Sequence, residues 1–310
     1  MTNRRPLIVR LPNWVGDVVI SLPVLEALDT AGFDITLAGR PFCDDLLEAY
    51  KAPRVVVSRR HVEESRKIRS LGIPRAVLFM RSIGSALEMR LAGVRAVGYR
   101  AEGRSLLLHR ALKPNRREHI LSYYWRLARF ACEIFEGDVG AFSGPPARPK
   151  LKILDKQKGR AAQALTEAKV TGPFHVWCPL ASNTIHGHSK IWPGFRELGD
   201  LAQHRGITVV CCPGPGQESA TSEALPNAIV IPGLGLGAMA AVMQRAGFVV
   251  ANDTGPMHVA AAVGTPVLGL FGPGSRPQRT GPTGGMTLGG PDGWPSVTEV
   301  FETATSTAQA

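Results

Sequence analysis

Short apolar runs alternate with helix-length amphipathic segments along almost the whole chain. In the first half, Leu7–Leu11, Ile35–Ala38, Val55–Val57 and Ala76–Met80 are short, continuous and rich in branched residues, as buried strands require. Segments near 17–30, 42–50, 82–92 and 119–134 carry apolar residues at helical spacing between or after them. Strand then helix, repeated, predicts a parallel sheet covered on both faces. Near 137–150 the alternation stops, because Gly137, Gly140, Gly144, Pro145, Pro146 and Pro149 suit neither regular structure and predict a linker. It then resumes. A helix near 155–169 precedes strands at 174–179, 208–212, 228–231, 248–251 and 266–271, with helices near 195–205, 217–225, 236–246 and 256–263 among them. The expected organisation is two α/β domains, 1–150 and 151–310, with ligands in the cleft between them near the carboxyl ends of strands.

A chain of 310 residues has room for two such cores. Its composition, 44% hydrophobic and 20% charged, is that of an ordinary globular enzyme, and no run approaches the roughly 18 apolar residues of a membrane-spanning helix. Arg4 and Arg5 ahead of Leu7, Ile8 and Val9 imitate a secretory signal, but Arg10 interrupts the run and Asp17 sits inside the next one, so a cytoplasmic protein is expected. Cys43, Cys132, Cys178, Cys211 and Cys212 are odd in number without a CxxC spacing, which predicts buried small hydrophobes and not metal or redox ligands. His186 and His188 lack the surrounding carboxylates or cysteines of a metal site.

Charge changes the picture once it is divided. Of the net +11, residues 1–150 hold 25 Lys and Arg against 15 Asp and Glu, while residues 151–310 hold 11 against 10. The first half is therefore expected to face an anionic partner such as a phosphorylated lipid or glycan or a membrane surface, or else to be a merely soluble face. Nucleic acid is set aside, because no recognition motif and few aromatic residues are present.

Two turns carry candidate chemistry. The first strand runs into Pro12-Asn13-Trp14-Val15-Gly16-Asp17, where Pro12 ends the strand, Gly16 permits close backbone approach and Asp17 opens a helix. A carboxylate there is either a helix acid favoured by the macrodipole or a base for a sugar hydroxyl. Trp14 either stacks on a sugar or closes the core. Farther on, strand 248–251 delivers Asn252-Asp253-Thr254-Gly255-Pro256-Met257-His258, then the slim Val259–Val263 and Gly264. A strand, a small-residue turn and a helix start make a phosphate site from exposed N–H groups and the dipole. Asp253 also fits a capping carboxylate, and His258 a structural histidine.

Together these signatures, with Leu22-Pro23, Leu25, Lys190-Ile191-Trp192-Pro193 and Phe271-Gly272-Pro273, resemble glycosyltransferase family 9, the ADP-heptose:lipopolysaccharide heptosyltransferases. The resemblance runs from about residue 6 to 300. It implies a GT-B architecture of two Rossmann-like domains facing a central cleft, inversion at the sugar carbon, no obligatory cofactor and no metal, with ADP-heptose as donor substrate. In it Asp17 takes the general-base position and Lys190 stabilises the leaving diphosphate. Ser182, Asn183, Glu218, Asp253, Thr254 and Gly255 fall beside the donor, with His258 behind, and Gln217 competes with Glu218 for the ribose contact. The Ala181–Lys190 segment is longer than in many relatives, and Gly289–Pro295 lacks the Pro-Cys common before the last helix.

The acceptor implied is an anionic glycolipid, the lipopolysaccharide inner core, whose Kdo carboxylates and lipid A phosphates suit Arg59, Arg60, Arg66 and Lys67 together with Trp14. Arg116 and Arg117, ahead of Tyr123, Tyr124 and Trp125, belong to the same basic half, which also suits peripheral contact with the cytoplasmic face of the inner membrane. For Arg59–Arg69 the competing reading is a solvated helix face partly balanced by Glu63 and Glu64. Alternatives within the fold are a transferase with another nucleotide-sugar donor or a non-lipopolysaccharide acceptor, a nucleotide-sugar epimerase, and a non-catalytic binding module.

Overall fold

The computed structural model describes residues 4–58, 60–101, 103–181, 184–185 and 187–306. By contact the chain divides into two compact units, Met1–Asp44 with Tyr50–Pro146, and Asp45–Ala49 with Ala147–Ala310.

Unit 1 runs β1 (Arg5–Arg10), α1 (Val15–Ile20), α2 (Leu22–Thr30), β2 (Phe33–Gly39), α3 (Phe42–Leu46), β3 (Arg54–Val56), α4 (His61–Ser70), β4 (Arg75–Leu78) and α5 (Ile83–Ala92). Next come β5 (Arg95–Tyr99), a 3-10 turn (Arg104–Leu107), β6 (Arg110–Leu112) and α6 (Ile120–Ile134). Its sheet is parallel with strand order β3-β2-β1-β4-β5-β6. The predicted helix over 17–30 is two helices broken at Ser21, whose hydroxyl donates to the Val18 carbonyl at 2.8 Å. Pro23 at the second position of α2 has no N–H to continue the ladder. One face of the sheet packs Ile8, Ala38, Ala76 and Leu78 against Ile68 of α4 and Ala86 and Met89 of α5.

Unit 2 runs α7 (Asp155–Glu167), β7 (Phe174–Cys178), the hairpin β8 (Thr184–Ile185) and β9 (His188–Ser189), α8 (Phe195–His204), β10 (Thr208–Cys211), α9 (Glu218–Ala224), β11 (Ile229–Val230) and α10 (Leu236–Arg245). It closes with β12 (Phe248–Asn252), α11 (Gly255–Val263), β13 (Val267–Phe271), α12 (Pro277–Thr280), β14 (Met286–Gly289) and α13 (Val297–Ser306). The sheet order β11-β10-β7-β12-β13-β14 repeats that of unit 1, again all parallel. Trp177, Trp192, Phe195, Phe248, Leu268 and Val300 form one face of its core.

In each sheet the chain order reverses beside the first strand: β1 lies between β2 and β4, and β7 between β10 and β12. In a doubly wound fold the loops leaving the carboxyl ends of strands diverge at such a reversal, which is the usual ligand position. The candidate residues lie on these loops or in the first turns of the helices that follow them. Asp17 follows β1, Lys190 lies in the segment after β7, and Asp253–Gly255 follow β12. All five cysteines are free, and burial pushes the Cys43 thiol up to about 11 and that of Cys212 to about 12, which disfavours thiolate chemistry. No described helix is long and apolar enough to cross a membrane.

Candidate functional site

In unit 1, β1 ends in a turn closed by the Val18 N–H donating to the Trp14 carbonyl at 3.0 Å. Trp14 is the extended residue before α1, which makes Asp17 the third helical residue, where the dipole favours a carboxylate. The Tyr124 hydroxyl, on α6, donates to Asp17 Oδ1 at 3.1 Å. Tyr124 is buried, with its ring centroid 5.0 Å from that of Phe79, so the carboxylate is held by a fixed donor. Trp14 is 58% exposed and therefore does not close the core.

Arg10 was not anticipated. Its guanidinium is buried and donates to the Leu11 carbonyl at 2.7 Å and to Asn13 Oδ1 at 3.3 Å, splinting the turn that carries Asp17. Burial lowers its pKa, with the Glu88 carboxylate opposing the effect. Glu88 is itself buried and bonds His61 Nδ1 at 2.7 Å. A Cβ on Gly84 would lie 2.3 Å from that imidazole, so the pair depends on a glycine there. A buried arginine two residues before a proline gives no separate signal in a sequence, and neither does a pairing across 27 positions.

The cations expected at the acceptor are spread along α4. Arg59 lies outside the described residues. Arg60 precedes the helix, on the rim that bears the loop after β1, and pairs with Glu63 at 3.0 Å. Arg66 and Lys67 lie nearly two turns farther from that rim. Lys67 reaches Glu64 at 3.3 Å, and Glu64 is fully buried, accepting from the Ser58 hydroxyl at 2.8 Å. Glu64 is thus a structural acid of unit 1, not part of a solvated helix face.

In unit 2, Lys190 Nζ and Asp253 Oδ2 form an ion pair of 2.8 Å, with side chains 18% and 8% exposed. Burial raises the Asp253 carboxyl above its ordinary range, opposed by the Lys190 ammonium. Asn252, the last residue of β12, holds this arrangement. Its Oδ1 accepts from the Trp192 N–H at 3.0 Å and its Nδ2 donates to the Pro179 carbonyl at 2.7 Å. The Trp192 indole donates to the Pro295 carbonyl at 3.0 Å, anchoring the Lys-Ile-Trp-Pro segment from its other side. Asp253 therefore does not cap α11. Thr254 occupies that position, and its hydroxyl donates back to the Asn252 carbonyl at 3.1 Å without capping the helix. The first-turn N–H groups of α11 and the ammonium of Lys190 thus flank Asp253. His258 is buried on the second turn. Ser182 and Asn183 lie outside the described residues. Glu218 accepts from the Gly216 N–H at 3.3 Å and Gln217 from the Gly214 N–H at 3.2 Å, so both shape the turn after β10.

An acid oriented by a tyrosine in one doubly wound unit, and a cation beside a helix start in the other, are the parts a nucleotide-sugar transferase needs. The sequence profile of Glycosyltransferase family 9 (heptosyltransferase) matches residues 65–287. The chain belongs to that family. It is an α/β glycosyltransferase of the GT-B class. Lipooligosaccharide heptosyltransferase 2 of Haemophilus influenzae is 27% identical to it over 300 residues, covering 87% of this chain and 84% of that protein. In fold the transferase is similar to Escherichia coli ADP-heptose lps heptosyltransferase II, with a TM-score of 0.80, 23% identity and 98% of each chain covered. It is also similar to E. coli heptosyltransferase WaaC with ADP, with a TM-score of 0.72, 20% identity and 98% of each chain covered.

Proposed function

We propose that this glycosyltransferase moves a heptose from ADP-heptose onto an anionic acceptor, the inner core of lipopolysaccharide, with inversion at the transferred carbon. Unit 1, Met1–Asp44 with Tyr50–Pro146, serves the acceptor, and unit 2, Asp45–Ala49 with Ala147–Ala310, the donor. The observation that carries the reading is the Lys190–Asp253 pair beside the start of α11. As the sugar–phosphate bond breaks, negative charge gathers on the departing diphosphate. An ammonium and oriented backbone N–H groups stabilise it without a cofactor.

Asp17 is the general base. The acceptor hydroxyl attacks the anomeric carbon, its proton passes to the Asp17 carboxylate, and ADP leaves with the electrons of the broken bond. Tyr124 orients the carboxylate toward that proton. Thr254 and Gly255 approach the diphosphate, Glu218 the ribose, and His258 supports the helix from behind, with Ser182 and Asn183 completing the donor side. Trp14 and Arg60 meet the acceptor at the rim of unit 1, with Arg59, Arg66 and Lys67 adding to the positive field. The relatives named above are heptosyltransferases of lipooligosaccharide and lipopolysaccharide, and one structure of similar fold holds ADP, which supports this choice of donor and acceptor.

Calorimetric titration with ADP, UDP and GDP tests the donor assignment. ADP is expected to bind most tightly, and Lys190→Ala to weaken it by about tenfold or more, as removal of a charge-assisted contact should. Equal affinity for the three nucleotides, or ADP binding unaltered by Lys190→Ala, would overturn the donor site.

A further inference from the structure

Unit 2 has a second cavity, of about 530 Å³, at the amino ends of β7 and β10. Its floor is the buried His175, the second residue of β7. Its walls are Ile207, just ahead of β10, and Phe301 and Thr305 of α13, a helix that packs beside α8. Arg205, which follows α8, and Glu302 stand exposed at its rim. The donor residues leave β7 from its other end. From His175 to Cys178, where that strand stops, is about 10 Å along the chain direction.

Two side chains there lack the partners that their chemistry calls for. His175 Nδ1 is sealed from solvent with no hydrogen-bond partner among the described residues, and the ring rests 5.7 Å from that of Phe248. Burial lowers its pKa, so the imidazole is neutral at pH 7. Two residues on, the same face of β7 carries Trp177 in the core, where an apolar side chain at 175 would continue the packing without a polar group to satisfy. Arg205 holds its guanidinium carbon 5.8 Å from the Phe301 ring centroid and forms no ion pair with a described carboxylate. A cation seated on an aromatic face without a counter-charge is a ready partner for a carboxylate. Ile207 and Phe301 are only partly buried against the core behind them, so an apolar body placed between them removes more of their surface from water. Glu302 and the carboxyl end of α13 make the rim unfavourable for a doubly charged anion. The Thr305 hydroxyl is already spent on the Phe301 carbonyl, to which it donates at 2.8 Å.

We infer that this cavity is a second ligand site, for a planar aromatic monocarboxylate: its carboxylate on Arg205, its ring against Phe301 and Ile207, and a polar substituent of the ring on His175. The apolar walls select the ring, the single unpaired guanidinium selects one negative charge, and the neutral imidazole selects a hydroxyl or N–H group at the buried end. A nucleoside diphosphate suits the start of α11 beside Lys190 and not a rim that carries Glu302. The inference does not rest on the proposed function, since none of these residues belongs to the donor or acceptor side.

Calorimetric titration of the full chain with 4-hydroxybenzoate, benzoate and inorganic phosphate tests this. One site is expected for 4-hydroxybenzoate, with benzoate about fivefold weaker for want of the hydroxyl and phosphate not bound there. Arg205→Met keeps an apolar stem on Phe301 but loses the charge, and should weaken both benzoates by about tenfold or more. His175→Phe should bring 4-hydroxybenzoate down to the affinity of benzoate. Arg205 is exposed, so its variant is expected to fold, with circular dichroism and ADP affinity as in the parent. Absence of saturable binding, benzoate bound as tightly as 4-hydroxybenzoate, phosphate bound as tightly as either, or binding unaltered by Arg205→Met would overturn the inference. So would displacement of 4-hydroxybenzoate by ADP, which would put the ligand in the donor site. None of these outcomes bears on the preference among ADP, UDP and GDP, so failure here is separable from failure of the donor assignment.

Discussion

Asp17 depends on two residues that hold it and on the position that exposes it. The third position of α1 favours its charge, Tyr124 fixes one oxygen, and Arg10 braces the turn in front of it. Replacement of Asp17 by Asn should lower kcat by about two to four powers of ten, the range for loss of a general base, with ADP affinity unchanged. Tyr124→Phe removes one hydrogen bond to a charged group, and about a tenfold loss in kcat is expected, smaller than that for Asp17→Asn. Steady-state kinetics on both variants checks the order, and a Tyr124→Phe enzyme with parental kcat would remove its orienting role. The turns that carry Asp17, Lys190 and Asp253 were legible in the sequence because the Pro, Gly and small residues of those short stretches suit no regular structure. Tyr124 was legible only as part of an aromatic helix face, since its partner is 107 residues away. Arg10 and Glu88 were not legible at all, because polar groups in apolar runs acquire their partners only when strands and helices pack.

Asn252 organises the elements of unit 2. It ends β12, ties off the exit of β7 through Pro179, and holds Trp192 so that Lys190 meets Asp253. Asn252→Ala would leave the Trp192 N–H and the Pro179 carbonyl without these partners in a buried setting, at a cost of about 2–4 kcal/mol. Urea unfolding measures that loss; one below about 1 kcal/mol would mean that Trp192 and its indole anchor suffice. The buried strands β1, β2, β7, β12 and β13 followed from composition, because a parallel strand covered on both faces is continuously apolar. The short strands β3, β4, β10 and β11 followed too, but three strands of the two parallel sheets did not. β5 has Gly98 in its middle, β6 opens on Arg110, and β14 is half exposed at the sheet edge. The final helix, Val297–Ser306, runs into a stretch of small polar residues and is fixed by the burial of Val300 and Ala304, with Val297 and Phe301 packed beside them. The hairpin Thr184–Ile185 with His188–Ser189 lay inside a segment that the sequence showed only as longer than in many relatives.

For the whole molecule, the uneven charge and the repeated strand order point the same way. Two sheets of one topology carry different groups: a carboxylate held by a tyrosine in unit 1, and a cation paired with an acid beside a helix start in unit 2. We propose that the two units divide acceptor and donor between them, and the central claim is transfer of heptose from ADP-heptose to a lipopolysaccharide core. The direct measurement incubates the purified chain with ADP-heptose and a heptose-free lipopolysaccharide core, and follows both ADP release and the mass of the glycolipid. The account predicts ADP released in step with addition of heptose to the core, and neither product with Asp17→Asn over the same interval. ADP release without a heavier acceptor, or the same product formed equally well from UDP- or GDP-linked sugars, would contradict it.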